Sequence, residues 1–244
     1  MMRVGLFKPV HVKTQMAQEQ RMLLTSRKLL QRKLLDVESD LRGTLRNFGL
    51  KVGVVSTGKF EARIRELVAG FPRLTLVVEP LLAVRRVMRQ QFAVLHKMLL
   101  DTVRHDPVCR QLMTAPGVGV VVALTYRATV DQPQRFVHSR AVGAHVGLTP
   151  RRHQSGEIDY DGGISKSGDT MLRTMLYEAA QSLLTSGKWS WLKAWACGWP
   201  SGAACGAPLS PSPGASPWFY TVCGLTAPSS AGATVRPRVV PQAA

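Results

Sequence analysis

Apolar residues recur at heptad spacing through the first hundred positions. No proline interrupts residues 15–48, where Met16, Leu23, Leu30 and Val37 repeat every seven residues beside a companion series of Leu34, Leu41 and Phe48. That pattern predicts one long helix with an a/d-type seam, ended by Gly49 and Gly53. A shorter helix is predicted over 60–68, broken by Phe71-Pro72. A third is predicted over 81–104, with Leu81, Val84, Met88, Leu95 and Met98 along one seam. Two long helices joined by a shorter element predict a coiled-coil-like antiparallel helical hairpin over 15–105. An extended lead-in over 1–14 precedes it, where Pro9 blocks a helix. The hairpin's spare apolar face fits an intramolecular bundle or a second subunit, and a homo-oligomer through the hairpin is expected.

At Asp106-Pro107 the texture changes to shorter elements, more glycine and more turns. A second domain is expected over 106–188. Its helices are predicted over 108–114, 119–130, 139–147 (with Ser139 as N-cap) and 169–186 (with Asp169 as N-cap). The last carries Met171, Leu172, Met175, Leu176, Ala179 and Leu183 on one face. Between the last two lie a β-like stretch over 151–160 and a turn at Asp161-Gly162-Gly163. The expected fold class is therefore mainly α: a long helical hairpin followed by a small α+β domain containing a helix-hairpin-helix. A Pro/Gly-rich tail over 189–244 follows. Residues 197–244 hold eight of the fifteen prolines and no acidic residue, which cannot build a regular core, so disorder is expected there.

Charge narrows the function. With 32 Lys+Arg against 15 Asp+Glu the chain carries +17, and such a surface calls for a polyanion. Nucleic acid is favoured over an acidic membrane, because the basic residues are spread along the chain instead of lining one apolar helix. No run of eighteen apolar residues suggests a membrane span, and no secretory h-region opens the chain, so a cytoplasmic location is expected. The four cysteines form no C-x-x-C pair and read as free thiols. Gly53 to Lys59 approaches a P-loop, but Phe60 stands where Ser or Thr must hold magnesium, and the segment reads as a loop.

Three segments carry candidate chemistry. Pro116-Gly117-Val118-Gly119 has the form of the turn in a helix-hairpin-helix module, whose glycines let amide N–H groups approach a DNA phosphate. A plain corner between helices is the alternative. Arg151-Arg152-His153-Gln154-Ser155 sets a serine near two guanidinium groups, which suit the extra negative charge of a phosphorane. From spacing alone, a polar β-turn serine is the plainer reading. Ser165 and Lys166, just before a predicted helix start, with Arg173 one turn into it, suit a phosphate; a loop with its cap is the equal alternative. His11, His96, His105, His138 and His145 show no metal-ligand spacing, and no metal site is expected in this chain.

In order, these motifs resemble a known family. P-G-V-G, then D-x-P-x-R-F at Asp131–Phe136, then G-L-T-P-R-x-H-Q-S-G-E, then G-G-I-S-K-x-G-D-x-x-L-R are similar to the C-terminal domain of DEDD-type insertion-sequence transposases, the RNA-guided bridge recombinases. The N-terminal F-K-P-V-H-V-K-T and L-R-G-T-L-R-N-F-G-L stretches are similar to the family's helical region, so the resemblance covers about Val4 to Ala196. It implies DNA transposition with Ser155 as the nucleophile, DNA and a guide RNA as partners, and magnesium in an acidic domain. The carboxylates would lie upstream of Phe7, yet no Asp or Glu precedes Glu19. The chain is therefore expected to be a truncated, catalytically incomplete remnant, retaining Arg151, Arg152, Ser165, Lys166, Arg173 and Pro116–Gly119 for DNA. The alternative is a dead binding or oligomerisation module that associates with intact transposase. Where relatives continue with a basic helix, the tail here is proline-rich. Residues 199–230 can be back-translated so that the neighbouring frame encodes a basic amphipathic helix, and a frameshift is expected.

Overall fold

The computed structural model describes residues 10–155 and 158–186 and is mostly helical, with one two-stranded sheet. Two compact units are formed. The first runs to Asp131 and includes Thr174–Ala179 of the last helix; the second comprises Gln132–Arg173 and the chain from Ala180 on. The tail, its cysteines and its tryptophans lie outside the described residues.

In the first unit, α1 (Gln15–Asn47) starts where the Thr14 hydroxyl accepts the Ala17 N–H. It ends at Gly49, which takes φ +74°. The unit continues with α2 (Phe60–Val68) and α3 (Pro72–His105). The third helix thus begins nine residues earlier than the expected Leu81. Pro72 occupies its first position, where an N–H would have no intrahelical partner, and the Phe71 carbonyl accepts from Leu74 and Thr75. The proline that ends α2 also starts α3, and Pro80 is carried inside the helix.

α1 and α3 are antiparallel. Arg27 meets His96 (3.4 Å), and Glu38, eleven residues on, meets Arg85, eleven residues back (2.7 Å). Their hidden faces are Ala17, Gln20, Leu24, Leu41 and Leu45 against Leu74, Val78, Leu82, Arg85, Leu99 and Val103. The expected seams therefore sit about one residue off: Met16, Phe48, Val84 and Met98 are exposed. The reason is chemical, since Gln20 and Arg85 occupy core positions that apolar counting skips.

Arg85 is fully buried and joins the elements of this unit. Its guanidinium reaches Glu38 on α1 (2.7 Å), Glu61 on α2 (3.2 Å) and the Thr57 carbonyl (3.1 Å), and it stacks 4.6 Å from the Phe60 ring. Around it Leu41, Leu45, Phe60, Ile64, Val68 and Val78 close the core.

α4 (Pro107–Leu112) is capped by Asp106, whose carboxylate accepts from Val108 (2.8 Å) and Cys109 (3.4 Å). Burial, with Asp106 beside it, pushes the Cys109 thiol up to about 12, so no thiolate forms near neutrality. α5 (Val120–Val130) is buried along nearly its whole length and packs on α1, α3 and α4. The texture change at Asp106 marks the end of α3, while the compact unit continues to Asp131.

Asp131 ends α5 at φ +59°, an unusual conformation for a non-glycine residue. Its carboxylate accepts from the Thr14 amide (2.8 Å), the Thr14 hydroxyl (2.7 Å) and His11 (3.0 Å), tying the lead-in to α5. His11 thus has a partner that its sequence context did not reveal. Burial alone would raise the Asp131 carboxyl, but the Thr14 bonds and then His11 outweigh it and hold it below the ordinary range. A depressed carboxyl adds stability above its unfolded pKa and loses it as pH falls through the folded one. Asp131→Asn is therefore expected to shift acid unfolding little below pH ~3 and to destabilise at pH 7, seen by urea denaturation at both pH values.

Candidate nucleic-acid interface

All the C-terminal candidates except the Pro116–Gly119 turn fall in the second unit. It contains α6 (Ser139–Val146), β1 (Pro150–Ser155), β2 (Ile158–Ile164) and the start of α7 (Thr170–Thr185). His138, not Ser139, holds the N-cap position of α6, with no side-chain cap bond. Asp161, Gly162 and Gly163, expected as a turn, lie within β2. The strands pair antiparallel with Ser155 opposite Ile158. The two glycines that suggested a turn sit where the register slips between Pro150 and Arg152, a common place for glycine in a strand.

The base of this hairpin is built by two glycines. Gly147 ends α6 in the left-handed region at φ +73°, and a Cβ there would collide with the backbone of Ser167. Gly168 takes φ +91°, and a Cβ there would collide with the His145 carbonyl. The 165–168 loop is thereby pressed onto the end of α6. Backbone bonds fix it: the Ser165 amide donates to the Thr149 carbonyl (2.9 Å) and the Lys166 amide to the Gly147 carbonyl (3.0 Å). Lys166 itself adopts φ +54° and is exposed.

Arg173 closes the base from α7. It donates to the Val146 carbonyl (2.8 Å), the Ser167 carbonyl (3.4 Å) and the Thr170 hydroxyl (3.3 Å). Arg151 donates to the Ser165 carbonyl (3.2 Å), and the Ser165 and Ser167 hydroxyls bond at 3.0 Å. Asp169 caps α7 by accepting the Leu172 N–H (2.8 Å). Arg151, Ser165, Lys166 and Arg173 are thus brought together at one end of the hairpin. In the same unit, Arg135 reaches His145 (3.1 Å) and stacks on Phe136, whose ring meets His145 edge-on. Sequence reasoning saw D-x-P-x-R-F only as a motif; its Asp, Arg and Phe are structural fasteners.

Ser155 stands apart from that cluster. It is exposed at the far tip of β1, and at ~3.3 Å per residue lies roughly 17 Å along the strand from Pro150. Alternation along β1 separates its neighbours. Arg152 and Gln154 share the face of Asp159, whereas His153 and Ser155 share the other. Arg152 forms a bidentate pair with Asp159 through Nε (2.9 Å) and Nη2, which holds the Asp159 carboxyl below its ordinary range. On the serine face, the His153 ring lies over Gly162, where a Cβ would stand 3.5 Å from it. Sequence adjacency placed both arginines beside Ser155; the strand directs Arg151 to the base and Arg152 to the opposite face.

In the first unit, Pro116–Gly119 forms the turn between α4 and α5. Gly117 takes φ +84°, Val118 is buried, and exposed Gly119 opens α5 without a side-chain cap. The turn thus presents backbone amides at a helix start.

Residues 109–196 match the family described as Transposase IS116/IS110/IS902 family. This stretch is similar to the transposase domain of that family. The transposase for insertion sequence element IS1111A of Coxiella burnetii is 31% identical over 195 residues, 76% of this chain and 54% of that protein. A putative transposase of Sinorhizobium fredii, y4pF/y4sB, is 30% identical over 179 residues, 69% of this chain and 46% of its own length. A second protein of that organism, putative transposase y4rJ, is 40% identical over 88 residues, 36% of this chain and 20% of its own. The chain spans about half the length of the first two relatives. The match to the transposase domain begins within α4, so it takes in the end of the first unit as well as the hairpin and its base.

Among the described residues no helix is long and apolar enough to cross a membrane. Nor does any group of three or more His, Cys, Asp or Glu sit close enough to hold a metal ion. The described residues therefore do not fit the magnesium site that the sequence resemblance implies.

Proposed function

We propose that this chain is the DNA-binding and nucleophile-bearing part of a DEDD-type, RNA-guided transposase, with Ser155 attacking a DNA phosphodiester. The observation that carries it is the exposed Ser155 hydroxyl at the tip of a β-hairpin whose base gathers Arg151, Lys166 and Arg173. Phosphates of one strand recur about every 3.4 Å of duplex axis, so tip and base would meet phosphates about five nucleotides apart. The base would set register on the backbone while the tip reaches the reacting phosphate. In the step itself a Ser155 Oγ–P bond forms and the P–O bond to the departing strand breaks. The serine proton leaves to solvent or a base, and the departing oxygen takes one up. His153, on the same face of β1, is the nearest candidate in sequence to receive that proton.

Arg152 remains a DNA contact in this reading, because its exposed pair with Asp159 is exchangeable for a phosphate. The Pro116–Gly119 turn adds a further backbone contact through the amides of Gly117 and Gly119 and the start of α5. DNA is the primary partner and a structured guide RNA a second, with self-association through the helical hairpin. The chain's acidic counterpart would come from outside the described residues. If no such counterpart acts with it, the chain is a catalytically inactive binding module that joins intact transposase through the hairpin.

Binding to duplex DNA, followed by fluorescence anisotropy across a salt series, tests the interface. A steep fall in affinity with salt is expected, and Arg151→Ala with Lys166→Ala should flatten the log–log slope by about 2. An affinity indifferent to salt would remove the phosphate-led interface.

A further inference from the structure

The β-hairpin distributes its charged residues unequally between its two faces. Register puts both aspartates of β2, Asp159 and Asp161, on the face of Arg152 and Gln154, while the face of His153 and Ser155 receives no acidic residue from either strand. Residues 151–155 are all exposed, so β1 lies against no core and its side chains meet whatever approaches. At the base, Arg151 and Arg173 are held by neutral groups, the Ser165, Val146 and Ser167 carbonyls and the Thr170 hydroxyl. Arg152 differs, because its partner is a carboxylate.

Arg152 reaches both oxygens of Asp159 through Nε (2.9 Å) and Nη2, and the two side chains are 62% and 41% exposed. The pair runs diagonally, since Gln154 and Asp161 are the respective register partners of Asp159 and Arg152. A guanidinium fork grips a phosphate with the same two-point geometry it uses on a carboxylate. Water and salt screen an exposed pair, so it yields to a competitor held close at high effective concentration. Position makes a phosphate that competitor. Along β1, Arg152 stands ~7 Å from Pro150 at the base and ~10 Å from Ser155 at the tip, so DNA held at the base and reaching the tip passes alongside it.

We propose that Asp159 is a placeholder for a DNA phosphate: it occupies Arg152 in the free protein and releases it when DNA already seated at the base brings a phosphate within reach. This role rests on the phosphate-led interface proposed above and gives it an autoinhibitory contact. Asp159 then opposes binding twice. It competes with the phosphate before contact, and afterwards it stays beside the strand as a carboxylate without its arginine. In a chain of +17, whose cations attract any duplex, this delays the tip until the base is filled. Ser155 thereby meets DNA that is already in register, not DNA in passing. Holding the strands in register is the other use of such a pair, and it predicts the opposite sign: without that staple the tip would bind DNA less well.

Fluorescence anisotropy of the full chain on a short duplex, run as a double-mutant cycle, tests this. Asp159→Asn should tighten binding ~3–10-fold, and Arg152→Ala alone should weaken it at most ~3-fold. In the Arg152→Ala background the gain from Asp159→Asn should shrink to under ~2-fold, because no guanidinium is left to release. A gain that persists there would be long-range repulsion alone and would overturn the placeholder, as would a loss of affinity in Asp159→Asn. The unmodified chain gives a second reading: the Arg152 Nε–H NMR resonance should move as duplex is added, and a resonance unmoved with DNA bound would overturn the exchange. No binding of duplex by any form would remove the phosphate-led interface itself. Binding that ignores Asp159→Asn would leave that interface standing and overturn the role of Asp159.

Discussion

Gly168→Ala is expected to collapse the base of the β-hairpin, lowering stability by about 3 kcal/mol or more and abolishing the base's contribution to DNA binding. Two penalties act together. An L-residue in the left-handed region costs ~1–2 kcal/mol, and overpacking against neighbours that cannot move costs a further ~1–3 kcal/mol. The obstruction is the His145 carbonyl, held in α6, so it cannot swing aside as a side chain would. Gly147→Ala should behave alike, since its obstruction is the backbone of Ser167. Gly163→Ala is the matched control, because nothing lies within 4 Å of a Cβ there and its backbone is not left-handed. Urea denaturation of the three variants checks the ranking. Equal stability of Gly168→Ala and Gly163→Ala would mean that the loop is not seated on α6.

Arg85→Ala is expected to destabilise the hairpin by ~3–5 kcal/mol, a loss of roughly 10 °C in melting temperature. The cost comes less from a lost attraction than from what remains. Glu38, about four-fifths buried, would lose its Arg85 counter-ion, Glu61 would keep only the more exposed Arg86 and Arg65, and the Thr57 carbonyl would keep only Arg89 as a donor. Arg85→Lys should recover little, since an ammonium can neither fork between two carboxylates nor stack on Phe60. Thermal unfolding by circular dichroism reads both. A rescue by lysine would show that charge alone, without fork geometry, holds the three helices.

The same arginine explains where sequence reading stops. The long helices, the α2 boundaries, the Asp169 cap and the apolar face of α7 are all visible as periodicity and cap chemistry. The contact seam of the hairpin is not, because Gln20 and Arg85 occupy it and only their partners make them core residues. Apolar counting therefore slid toward Met16, Leu23, Leu30 and Val37, and toward Val84 and Met98, which border the opposite, open face. Phe71-Pro72 read as a break because proline's effect depends on whether a helix follows it immediately. Asp161-Gly162-Gly163 read as a turn because glycine marks irregular strand register as readily as reversal. At the candidate site, residues adjacent in sequence are divided by strand alternation. That division, not residue identity, sends Arg152 to Asp159, and the base-building roles of Arg173 and of the Asp131–Phe136 motif depend on partners far away in sequence.

Whether the hairpin tip delivers a nucleophile is tested most directly by trapping. The full chain would be incubated with duplex DNA containing a single bridging phosphorothiolate, whose thiolate departs without needing a proton. Attack would form an Oγ–P bond as the P–S bond breaks. Mass spectrometry after nuclease digestion should then find a nucleotide on Ser155, absent in Ser155→Ala and weakened when Arg151 and Lys166 are both removed. A nucleotide on any other residue, or none on Ser155 where DNA is demonstrably bound, would contradict the assignment of Ser155 as the attacking group.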